Sequence, residues 1–185
     1  MSKPEMFVSV DIEASGPYPG EYSMLSIGAC LVDVPGETFQ CELKPLSMNA
    51  DPKALAVSGL SMEDLALRGL DPEAAMSQFA SWACGHASIS GAEPVFVGLN
   101  AAFDWAFVNH YFLRFLQKNP FGFAPLDIKA FYMGAASCDW ADARSSVMSE
   151  RLGARLKGDH NALHDAIFQA ELFRLARNLG SVQHL

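Results

Sequence analysis

The chain is poor in positive charge. Its 185 residues include 13 Lys and Arg against 21 Asp and Glu, a net charge of −8. That balance excludes the broad basic groove with which proteins usually track along a long polyanion. Either the partner is not a polyanion, or cations other than side chains mediate the contact. Charge of both signs is scarce at 18% of residues, against 50% hydrophobic, which excludes a disordered chain or a coiled coil. No apolar run approaches the roughly 20 residues of a membrane span. The opening, MSKPEMFVSVD, is interrupted by Asp11 before it builds the apolar stretch of a secretory leader. Cys30, Cys41, Cys84 and Cys138 are widely spread with no CxxC pair, so reduced, mostly buried thiols are expected rather than disulfides or zinc. With no repeat, linker or low-complexity tract, the expectation is one domain over residues 1–185, soluble, cytoplasmic and without a membrane.

What is present is an alternation of strand and helix patterns. Residues 6–15, 23–34 and 37–46 read as three strands of an antiparallel meander, with the Gly- and Pro-rich GPYPGEY as the first turn. Two short helices follow within residues 49–69, with Asp51 and Ser61 placed to cap them and Pro52 suited to a first turn. A longer helix is predicted over 71–87, a short buried strand over 93–101 and an aromatic-rich helix over 103–119. A strand-to-helix junction near 126–128 precedes helices over 141–158 and 160–180, the last ended by Gly180. Strands first, then helices alternating with further strands, suggest a mixed sheet with helices packed against it, an α/β domain.

Three short motifs carry chemistry. In VSVDIEASG, residues 8–16, strand alternation puts Asp11 and Glu13 on one face. In GLNAAFDWAF, Asn100, Phe103 and Asp104 straddle a strand-to-helix junction, and in HNALHDA, His160 precedes Asp165 by five residues at the head of the last helix. Taken one at a time, these residues have ordinary uses: strand-edge acids, or first-turn acids that complement a helix dipole. Together, in this order, they resemble the DEDD-type 3′-5′ exonuclease superfamily, in the subgroup that carries a catalytic histidine. Ribonuclease T, oligoribonuclease and bacterial proofreading exonuclease subunits belong to that subgroup. The motifs run from Asp11 to Asp165, and DPKALAVSGLS is similar to the family's segment between the first and second of them. Asn161 stands where the sister subgroup carries a tyrosine, and Ser26 stands where an acid often precedes the IGA of the second strand.

The resemblance implies a ribonuclease H-like fold, a five-stranded mixed sheet flanked by helices. It implies Asp11, Glu13, Asp104 and Asp165 as ligands of two Mg²⁺ or Mn²⁺ ions, with Glu13 also counted as catalytic and His160 as general base. Carboxylates suit such hard cations, and two ions about 4 Å apart serve an in-line displacement at phosphorus. An imidazole, with an ordinary pKa of about 6.5, suits removal of a proton from water at neutral pH. The positive charge that the paired acids await is then metal.

The activity implied is hydrolysis at the 3′ end of single-stranded DNA or RNA, releasing nucleoside 5′-monophosphates. The scarcity of basic residues points to short strands, with Arg114, Lys118, Arg144, Arg151, Arg155 and Lys157 as the bases that line the approach. Ala14 and Ser15 are expected near the terminal sugar. Phe103 and Phe107, which flank Asp104, are expected to stack on bases, and Tyr18 is a weaker candidate; the other aromatics of that helix suit the core. His164 competes with His160, whereas His86, His110 and His184 are assigned no role. A homodimer is expected by analogy with relatives. The alternative is a nucleic-acid- or nucleotide-binding module of the same fold that has lost turnover.

Overall fold

A computed structural model of the chain describes residues 3–182. Three strands open it, β1 (Glu5–Ala14), β2 (Met24–Leu31) and β3 (Thr38–Glu42), followed by three helices, α1 (Pro52–Ser58), α2 (Met62–Arg68) and α3 (Pro72–Ser90). Then come β4 (Glu93–Gly98), α4 (Ala102–Leu116), the two-residue β5 (Leu126–Asp127) and α5 (Ile128–Ala136). A 3-10 turn (Trp140–Ala143), α6 (Ser145–Leu152) and α7 (Ala162–Val182) complete the order.

The five strands form one mixed sheet in the order β3-β2-β1-β4-β5. β1 pairs antiparallel with β2, and β2 with β3, while β1 and β4, and β4 and β5, run parallel. The expected meander and the five-stranded mixed sheet are both present. Alternation sorts β1 between two cores. Val8, Val10 and Ile12 pack toward α3 and α4 with Phe79, Phe107, Tyr111 and Phe112. Phe7, on the opposite face, joins Ile128, Tyr132, Leu172 and Phe173 from α5 and α7. Asp11 and Glu13 lie on this second face, under α7.

Local chemistry sets the helix ends. Asp51 caps α1 by accepting from the Lys53 amide at 2.9 Å, and Ser61 caps α2 through the Asp64 amide at 3.1 Å. Two predicted helices have different bounds. The one expected over 141–158 is broken into a 3-10 turn and α6 by Arg144, whose backbone is extended at φ −75° and ψ 149°, and it stops early because Gly153 adopts φ 67° and closes α6. The last helix is not ended by Gly180 but continues to Val182. The cysteines are unpaired, as expected, although Cys84 is exposed and Cys138 half-buried. Among the described residues no helix is long and apolar enough to cross a membrane.

Candidate active site

The site begins where β1 outruns its parallel neighbour. The β1–β4 ladder ends at Ser9 opposite Val97, whereas pairing with β2 continues to Ala14, with a register shift between Glu13 and Ala14. Such irregularities re-aim side chains at the end of a ladder. Beyond the last β4 pair, the Ile12 amide donates to Asp104 Oδ1 at 3.1 Å, so a side chain near the start of α4 continues the hydrogen bonding that β4 has left. This contact carries an acid from the α3–α4 layer to the end of β1, and leaves Asp104 only 4% exposed.

The fourth acid arrives on α7. Gly28 lies directly opposite Asp11 on β2, and a Cβ there would fall 2.2–2.4 Å from the backbone of Ala162 and Leu163. The missing side chain lets the first turn of α7 rest on the sheet, which puts Asp165 above Asp11. Asn161 Oδ1 accepts from the Leu163 and His164 amides at 3.1 and 3.2 Å and starts the helix. Just before it, the backbone folds around the Asp165 carboxylate: the amides of Asp159 and His160 donate to Oδ1 and Oδ2 at 2.9 and 3.2 Å. Gly158 closes the cradle, since a Cβ at that position would meet Asp165 Oδ1 at 2.6 Å. His160 itself holds φ 62°, a left-handed conformation uncommon for a residue with a side chain.

Asp11, Glu13, Asp104, Asp165 and His160 all line one open cleft of about 310 Å³, together with Asn100 and Phe103. Ligand atoms of Glu13, His160 and Asp165 lie within 4.8 Å of one another, a grouping able to hold a metal ion. The electrostatics reflect crowding of like charge. Burial, then the neighbouring Asp104, Asp165 and Glu13 carboxylates, push Asp11 well above its ordinary pKa, against one lowering contact from Gln169. Glu13 is raised to about 7 by burial and by Asp165. Burial also raises Asp104, in spite of the bond from Ile12. An all-oxygen set of crowded, partly desolvated acids with one imidazole at its rim matches the preferences of a hard divalent cation.

The histidines part company. His160 faces the acids, whereas His164 turns its Nδ1 to Asp159 Oδ2 at 2.8 Å, outside the cleft. His86 lies 3.8 Å from Glu37 and the Nε2 of His110 is buried without a partner; His184 falls outside the described residues. Phe103 is 41% exposed and lines the cleft. Phe107, expected beside it as a second stacking ring, is fully buried; it supports Phe103 from below with centroids 5.3 Å apart. Ala14 and Ser15 are buried and line neither this cleft nor its neighbour. Ser15 spends its amide on Ser23, its carbonyl on Asp51 and its hydroxyl on Asn49. Tyr18 donates its hydroxyl to Glu21 and also lies outside the cleft.

A larger cleft of about 690 Å³ adjoins the first and shares Asp11, Leu99, His160 and Asp165 with it. Ser145, Ser146, Ser149 and Lys157 line it over an apolar floor that includes Leu156 and Phe168. Sequence reasoning did not foresee Gln169, which is 4% exposed and bonded to Asp11 Oδ1 at 2.6 Å. Its place one turn after Asp165 on the same helix face was the available signal.

No family model matches the chain. It is 50% identical over 182 residues to the 3′-5′ DNA exonuclease Cap18 of Escherichia coli, covering 98% of this chain and 96% of that protein. Among solved structures, it superposes on a 3′-exonuclease solved for 3′-end-specific recognition of a histone mRNA stem-loop. There the TM-score is 0.75 at 15% identity, over 97% of this chain but only 65% of that one. The nuclease domain of 3′hExo, a DEDDh family member bound to rAMP, matches with TM-score 0.71 at 14% identity, over 97% of this chain and 92% of that domain. The fold is therefore ribonuclease H-like, and four acids from three elements meet one histidine at the end of its first strand. With a named exonuclease matching along nearly its whole length, the chain belongs to the family of 3′-5′ exonucleases.

Proposed function

We propose that the protein removes nucleotides one at a time from the 3′ ends of short single strands, DNA before RNA, with two Mg²⁺ or Mn²⁺ ions in the acidic cleft. The observation that carries this reading is the convergence of Asp11, Glu13, Asp104 and Asp165 with His160 on one cleft. The matching DNA exonuclease supports DNA as the substrate. Asp11, at the centre of the set, would hold the ions together with Glu13, Asp165 and Asp104. The bound ions would polarise the scissile phosphate and neutralise the carboxylates.

The chain's own residues do the rest. His160, on the rim beside Glu13 and Asp165, takes a proton from the attacking water. The water oxygen bonds to phosphorus as the bond to the upstream O3′ breaks; that oxygen regains a proton, and a nucleoside 5′-monophosphate leaves. Phe103 offers a face to a base next to the scissile bond. The strand reaches the acids along the larger cleft, where Lys157 is the one Lys or Arg among the described lining residues. With so little to neutralise phosphates, the grip ends after a few nucleotides. Each phosphate paired with a Lys or Arg would steepen log K against log salt by about 0.7 on a single strand.

A panel of 5′-labelled single-stranded DNA and RNA of increasing length, with Mn²⁺ or EDTA, tests the reading. Single-nucleotide shortening from the 3′ end that stops with EDTA is expected. So is affinity in Ca²⁺ that levels off within a few nucleotides. Binding without shortening, or a steep salt slope with affinity rising over tens of nucleotides, would contradict it.

A further inference from the structure

We infer that Gln169 is a positioning residue for metal binding, orienting the Asp11 carboxylate from behind; the inference rests on the metal-dependent reading above. Gln169 stands one helical turn after Asp165 on α7, and its side chain is 4% exposed. Its amide makes two bonds: Nε2 donates to Asp11 Oδ1 at 2.6 Å, and Oε1 accepts from the Leu99 amide at 2.9 Å. The second bond removes the ambiguity of the first. Leu99 N–H offers only a donor, so the amide oxygen must face it and the NH₂ group must face Asp11. A buried side chain whose orientation is fixed by the backbone therefore presents a donor to one oxygen of the acid at the centre of the cluster.

This arrangement does two things. It fixes the torsion of the Asp11 carboxylate, leaving its second oxygen for the cleft. It also supplies a donor to a carboxylate that otherwise faces Glu13, Asp104 and Asp165. It joins all three motifs as well, because α7 carries Gln169, β1 carries Asp11, and Leu99 opens the turn into α4, which carries Asp104. The far side of that turn is held separately, by Asp127 Oδ2 accepting from the Ala101 amide at 2.6 Å. Gln169 and Asp127 thus support the same turn, but only Gln169 touches Asp11. That difference separates positioning from plain structural support.

The test is Mn²⁺ binding by titration calorimetry on the whole protein without nucleic acid, for wild type, Gln169→Met and Asp127→Ala, with a thermal melt of each. Residues that orient metal ligands from outside typically contribute about 10–100-fold to affinity. Gln169→Met, which keeps the length and loses the donor, is expected to bind Mn²⁺ weaker by that factor. Asp127→Ala is expected to melt earlier yet bind Mn²⁺ within about threefold of wild type. Gln169→Asn, polar but one methylene too short to span both partners, carries the same expectation should Gln169→Met not fold. Mn²⁺ affinity within twofold of wild type in a folded Gln169 variant overturns the inference. An equal loss in Asp127→Ala also overturns it, since the effect would then pass through the turn. A wild type that binds no Mn²⁺ would instead defeat the metal-dependent reading itself.

Discussion

Replacing Gly28 by Ala should disable the site without touching any acid in it. The added Cβ would sit 2.2 Å from the Leu163 nitrogen and 2.3 and 2.4 Å from the Ala162 carbonyl carbon and oxygen. All three are backbone atoms of the first turn of α7, so no side chain can swing aside. Restoring ordinary contact, at about 3.4 Å, means lifting that turn by about 1 Å. Asp165 and Gln169 ride on the same helix, and would be carried away from Asp11, which is anchored on β1 opposite Gly28. A misplacement of about 1 Å in a catalytic constellation can cost about 10²-fold in rate. Overpacking a filled interior costs about 1–3 kcal/mol, and about 2–4 °C of melting temperature accompanies each kcal/mol in a chain of this size. Gly28→Ala should therefore melt several degrees early by circular dichroism and shorten a labelled oligonucleotide about a hundredfold more slowly. Unchanged melting with activity within threefold of wild type would refute the claim that this contact sets the height of α7.

The two histidines should separate cleanly. His160→Ala should lower turnover by about 10²–10⁴-fold, the usual contribution of a general base, with Mn²⁺ binding largely kept. His164→Ala, which loses only the pairing with Asp159, should stay within a few-fold; the reverse pattern would exchange their roles. The acids predict a pH signature of metal binding. Because Glu13 is raised to about 7 from its ordinary 4.5 in the folded protein, the metal-free fold holds more protons than the unfolded chain between those values. Metal-free stability should therefore fall as pH rises through that window. A cation that favours the ionised carboxylates should release protons on binding near pH 6 and few above pH 8. Calorimetry in buffers of different ionisation enthalpy measures this, and no buffer dependence at pH 6 would count against it.

Much of this was legible in the sequence because the informative features are local. Strand alternation places Asp11 and Glu13 together without knowledge of the partner strands. The caps at Asp51 and Ser61 need only three residues of context. What stayed hidden depends on what approaches from elsewhere. Gly28 and Gly158 read as ordinary glycines until α7 is seen resting on one and Asp165 on the other. Gln169 is an unremarkable helix residue until Leu99 fixes its amide. Phe107 lies one turn after Phe103 on the same face of α4, but that turn is already inside the fold; one ring meets the cleft and the other the core. Ser15 lies within the first motif, but the register shift after Glu13 turns it into the loop contacts with Ser23, Asn49 and Asp51.

The four acids should together hold two divalent cations. Anomalous diffraction from crystals soaked in Mn²⁺ addresses this without relying on turnover. Two manganese peaks about 4 Å apart, bounded by Asp11, Glu13, Asp104 and Asp165, are predicted. A cleft with no manganese, or peaks only at other surface acids, would contradict it.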